Sequence, residues 1–186
     1  SPCCNKASSR MKTPNDQIPP CASLVAAHHE LNFLHSASAI IDTESTVFEL
    51  YCQMTAATPA WLKGAFRLRD SISQHFHVER IGGFSGVTPQ CVPTVGEKLD
   101  FFTIEAISAQ KLVLTSRDTH LAVMVSIDAT LAQPRCLHIT TSVKTFNTFG
   151  RLYMLPVAPV HGLIIKLLLS HLPLHSPTRS LGDRNS

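Results

Sequence analysis

The stretch His120-Leu121-Ala122-Val123-Met124-Val125-Ser126-Ile127-Asp128-Ala129-Thr130-Leu131 decides the fold class. Leu121, Val123, Val125, Ile127, Ala129 and Leu131 are all apolar, and the residues between them are mixed. Successive side chains of a strand point to opposite faces, so this period of two predicts a β-strand with one face in a core. Downstream, Ala132-Gln133-Pro134-Arg135 reads as a turn into a second strand, Leu137 to Phe146, rich in Thr, Ile and Val. Upstream, Lys98 to Ile107 and Lys111 to Thr115 read as two more strands around a tight turn near Ser108-Ala109-Gln110. Connections this short join antiparallel neighbours, because a parallel pair needs a long crossover. The result is a four-stranded meander.

The flanks of the meander are helical. After it, Asn147 is a fair N-cap for a helix from Thr148 to about His171. Leu163, Ile164, Ile165, Leu167, Leu168 and Leu169 make that helix apolar nearly all round, which predicts burial on most sides. Arg151, Pro156, Pro159, His161, Lys166 and His171 interrupt it too often for a membrane span, and the two prolines should kink it or delay its regular part. Before the meander, Thr46 and Glu49 have capping-box spacing. Val47, Leu50, Tyr51 and Met54 then recur at helical spacing. Thr58-Pro59 starts a second helix running to about His75, with a stripe of Trp61, Ala65, Leu68, Ile72 and Phe76 expected in the core. Leu31 to Ile40 reads as one further strand. Ile81 to Val95, with Gly82, Gly83, Gly86, Pro89 and Pro93, is a long loop.

Totals narrow the function classes. The chain has 186 residues and 44% hydrophobic content, enough for one domain with a sizeable core. We expect that domain over 23–175, with flexible tails at 1–22 and 176–186. Only 16% of residues are charged and the net charge is +3, with no basic run and no aromatic–arginine interleaving, which excludes a nucleic-acid platform. The polar first twenty residues hold no apolar segment of a secretory signal. Six scattered cysteines without a CxxC are expected as reduced thiols in a cytoplasm. No metal is expected: His28, His29 and His35 have no carboxylate or cysteine at ligand spacing. Nor is a cofactor, since no GxGxxG, P-loop, GxSxG or HExxH is present.

Strand, helix, helix, four or more strands and a long helix is the helix-grip order. The predicted class is therefore α+β: an antiparallel β-sheet wrapped around a long C-terminal helix, with two short helices closing one end. Three stretches carry a family resemblance. They are Thr58-Pro59-Ala60-Trp61 with Phe66-Arg67-Leu68-Arg69-Asp70; Asp118-Thr119-His120-Leu121; and Phe146-Asn147-Thr148-Phe149-Gly150-Arg151-Leu152-Tyr153 with Pro159-Val160-His161. Together they are similar to a bacterial family known as domain of unknown function 2867, over roughly Thr46 to His171. The resemblance implies the START-like (Bet v 1-like) fold, whose members hold hydrophobic ligands between sheet and helix, and kinship with chains fused to nucleotide-binding oxidoreductases. The family strand often carries an acid and an arginine just after His-Leu; here Ala122 and Met124 stand in those places.

Four residues are candidate ligand contacts. His120 is a polar group at a strand end, with a side chain whose ordinary pKa suits acid–base work. Arg151 can clamp an anion with its planar fork, and Tyr153 can donate a hydrogen bond from an apolar wall. His161 lies about 80° round the helix from Arg151, facing a similar direction. The first functional expectation is binding of a small hydrophobic molecule between sheet and C-terminal helix. The second is an enzyme on the same fold, such as a cyclase, hydratase or hydrolase, with His120 or His161 as acid or base. The third is a partner- or membrane-interaction module in which Leu163 to Leu172 presents an apolar face, with Lys166 and His171 at the lipid headgroups. Oligomeric state is open at this level.

Overall fold

In a computed structural model, residues 18–56, 58–64, 67, 70, 84–86 and 91–173 are described. Among them, β1 (Phe33–Ile40), β2 (Lys98–Leu99), β3 (Phe102–Ile107), β4 (Lys111–Arg117), β5 (Leu121–Ala129) and β6 (Cys136–Thr145) form one antiparallel sheet. Its order is β1-β6-β5-β4-β3-β2. The meander is as the short connections required, and β1 returns to pair with β6 at the far edge.

The expected strand from Lys98 to Ile107 is in fact a tight hairpin, because Asp100 turns the chain with φ 55°. A short polar side chain tolerates that left-handed conformation better than most. Its carboxylate is held at both oxygens, by Tyr51 Oη–H at 2.5 Å and the Ser85 N–H at 2.8 Å.

Helix α1 (Val47–Thr55) opens with both arms of the capping box: Glu49 N–H donates to Thr46 Oγ1 at 3.2 Å, and Thr46 N–H donates to Glu49 Oε2 at 2.7 Å. Val47, Leu50, Tyr51 and Met54 are all buried, as their spacing demands. A second short helix, α2, is described over 60–64. Here the expectation fails at Trp61, which is 46% exposed, while its neighbour Leu62 is the buried residue. One residue is about 100° of helix, so a slightly different roll swaps which side chain meets the core. The rest of that helix and much of the following loop lie outside the described residues.

Helix α3 (Thr148–Ser170) is capped by Asn147, whose Oδ1 accepts the Gly150 N–H at 3.0 Å. It runs through Pro156 and Pro159. Each proline lacks the N–H that would meet a carbonyl four residues back, at Leu152 and Leu155. Both of those residues are largely exposed, so water can serve their carbonyls. The expectation of burial on most sides is wrong for this helix. Only Gly150, Ile165, Leu168 and Leu169 are buried, because α3 crosses the β1–β6 edge of the sheet and only its last turns reach α1. The core therefore lies between the sheet's inner face, α1 and the C-terminal third of α3.

The outer face of the sheet is covered as well. The Ser23 N–H donates to Ser126 Oγ at 3.1 Å, the Val25 N–H to Ser142 Oγ at 3.0 Å, and Lys111 Nζ to the Cys21 carbonyl at 2.6 Å. Ser126, Thr140 and Ser142 are consequently fully buried. This segment places polar partners over a polar strand face, satisfying groups that burial would otherwise strand.

Candidate functional site

On β1, Phe33, His35, Ala37 and Ala39 alternate onto the inner face, and His35 pairs directly across from Thr141 of β6. His161 of α3 comes down onto the same spot. Its ring lies 5.3 Å from that of His35 at 71°, and 5.4 Å from that of Phe33 at 70°. Gly162 faces the same ring: a Cβ there would sit 3.7 Å from His35 Nε2, an ordinary contact distance.

Three polar atoms in this niche are enclosed and lack a hydrogen-bond partner: His35 Nδ1, Thr141 Oγ1 and His161 Nδ1. Thr145 Oγ1, further along the same strand face, is a fourth. An unsatisfied buried polar group costs roughly 1–3 kcal/mol, so their clustering is a cost concentrated in one place. Enclosure also sets the protonation state. Burial, with some help from the His35 charge, pushes the His161 imidazole down to about 4. His35 is likewise lowered, by burial first and by the Lys166 charge second. Both rings are thus held towards the neutral form, each with one N–H donor and one acceptor nitrogen. Neutral rings beside a threonine hydroxyl make a hydrogen-bonding patch in apolar surroundings. A base as weak as His161 is poorly matched to proton abstraction at neutral pH.

Of the four residues expected from sequence, only His161 belongs to this cluster. His120 sits at the start of α3, where Asn147 Nδ2 lies 2.8 Å from its Nδ1 and the Phe149 ring lies 4.7 Å from its own. Phe149 and His161 are twelve residues apart on one helix, about 18 Å along its axis. Arg151 is exposed and Tyr153 half-buried between the two ends. Asp118 is engaged locally, its Oδ1 accepting the His120 and Leu121 N–H groups at 2.7 and 2.9 Å. His35 and Thr141 were not singled out from sequence as ligand contacts. The alternation of Phe33, His35, Ala37 and Ala39 held the signal for His35, once this segment is taken as a strand facing the helix.

Among the described residues no group of three or more His, Cys, Asp or Glu could hold a metal. Among the described residues, Cys52 and Cys91 are free thiols. Burial pushes the Cys52 thiol up, with Asp100 and Glu49 adding to the effect, which makes it a poor nucleophile. Cys136 is disulfide-bonded, contrary to the expectation of reduced thiols.

No curated protein and no solved structure matches the chain. A family match does exist, over residues 28–168, and it takes in the entire sheet, the first two helices and nearly all of α3. On that match the chain belongs to the family described as protein of unknown function, DUF2867.

Proposed function

We propose that this protein binds a small, mainly apolar molecule carrying one polar group, held between the inner face of the sheet and α3. The observation that carries the reading is that His35 Nδ1, Thr141 Oγ1 and His161 Nδ1 are each enclosed and unpartnered on neighbouring residues, His35 and Thr141 paired across β1 and β6 and the His161 ring 5.3 Å from that of His35. A hydrogen-bonding head placed there would remove the cost those atoms impose, and Phe33 and Val143 supply apolar walls beside it. The helix-grip arrangement and the START-like relationship it implies support the same location. Tyr153 and Arg151, nearer the helix start, are candidates for the far end of a longer ligand, with His120 beyond them.

An enzyme using His120 and His161 as a pair is disfavoured, since His120 packs on Phe149 in the first turn of α3 and His161 lies about 18 Å further along that helix. The test is native mass spectrometry of the purified full chain, followed by denaturation and organic extraction. A copurifying small molecule, reduced or lost in the His35→Phe, His161→Phe double variant, is the expected result. An apo mass for the native chain, together with an unchanged melting temperature across a panel of apolar alcohols, ketones and acids, overturns the proposal.

A further inference from the structure

We propose that the outward face of α3 docks flat onto an anionic membrane surface. Leu152, Leu155, Pro156, Pro159, Val160 and Leu163 fall within about 140° of one another around the helix at 100° per residue. All six point to solvent, and the four aliphatic ones are 59%, 69%, 39% and 57% exposed in chain order. Stripes of this kind on a soluble chain mark contact with something apolar. Phe146, 51% exposed and one residue before the N-cap, extends the apolar surface with an aromatic ring.

Charge selects the occupant. Helix α3 contains no Asp or Glu, and its two permanent cations, Arg151 and Lys166, are both exposed and bracket the stripe about 22 Å apart. An apolar face ended by cations matches a lipid surface with anionic headgroups, where long basic side chains reach outward while the stripe sinks to the acyl boundary. A second copy of the chain is a worse match, because two such helices face to face bring cations onto cations in either direction.

The helix is long and apolar enough by composition to cross a bilayer, with a mean hydropathy of 1.8 over its best window. Its packing favours lying in the plane instead. Spanning would strip Ile165, Leu168 and Leu169 from the core and carry His161 and Lys166 into hydrocarbon.

The test is flotation of the full chain with vesicles of phosphatidylcholine alone or mixed with phosphatidylserine. The native chain is expected to float with the mixed vesicles at low salt and to be released as salt rises. Leu155→Gln with Leu163→Gln should weaken binding at least about tenfold, in keeping with the apolar area lost. Arg151→Glu should weaken it on anionic vesicles only. Unchanged melting temperatures show that the variants remain folded. Failure of the native chain to float at low salt, or equal flotation of the double glutamine variant, overturns the proposal. So does a concentration-dependent dimer that the double glutamine variant abolishes in the absence of lipid binding. Ligand copurification is read separately, so the two proposals fail independently.

Discussion

The imidazoles of His35 and His161 meet edge to face, 5.3 Å between centroids, with Lys166 as the nearby cation and Phe33 against the second ring. Sheet and helix are therefore joined at this point by groups that are stable together only while uncharged. Protonating both would place two positive charges in apolar surroundings beside a third.

That sets a pH dependence. In the unfolded chain His161 titrates near its ordinary value, about 6.5, whereas in the fold burial holds it at about 4. Between those two values the unfolded chain binds more protons, so stability is complete above the upper one and is lost as pH falls towards the lower. The loss from His161 should be on the order of 3 kcal/mol, and His35, lowered in the same direction, adds to it. Thermal melts from neutral to acid pH on the native chain and on His161→Phe check this. The variant should show the shallower acid slope; parallel slopes would refute the account.

Gly150 and Gly162 should respond oppositely to alanine. A Cβ on Gly150 would collide with the backbone carbonyl of His120, which cannot move without breaking the Phe146 N–H bond to the same oxygen. Gly150→Ala should cost about 3 kcal/mol. At Gly162 the added methyl meets only the His35 ring, at ordinary contact distance. Gly162→Ala should be neutral or gain up to about 1 kcal/mol from helix propensity. Chemical denaturation of both variants distinguishes them.

The start of α1 makes a local prediction. Thr46→Ala removes the hydroxyl that caps the Glu49 N–H and should cost about 1 kcal/mol, while Thr46→Ser should cost much less. Urea midpoints of the two variants provide the comparison.

The segment over the outer face hangs on Lys111. Its ammonium bonds the Cys21 carbonyl and sits 2.9 Å from Asp128 Oδ1, and Asp128 Oδ2 accepts the Ser126 hydroxyl that in turn takes the Ser23 N–H. Lys111→Met leaves the nearly buried Asp128 carboxylate without its cation, a change we expect to cost about 2 kcal/mol, less than for a fully buried pair because Lys111 is partly exposed. Amide exchange should quicken at Ser23 and Val25 before the strands beneath them. Exchange that is unchanged there would show that the strap is held by other means.

Period-two apolarity in β5, the capping box at Thr46, the Asn147 cap and the short turns of the meander were legible in the chain, because each depends on residues a few positions apart. That local information was enough to order the sheet and its helices as α+β. What lay beyond it depended on how finished elements meet. The roll of α2 exposed Trp61 and buried Leu62, and the path of α3 along the sheet edge left Leu152 to Leu163 in solvent although composition alone suggested an interior helix. The partnership of His35 with Thr141 and His161 is the sharpest case. It joins residues more than a hundred positions apart through strand register and one helix crossing, and no local pattern encodes either. Sequence fixes propensity and periodicity within an element; only packing between elements decides which polar atoms end up enclosed together.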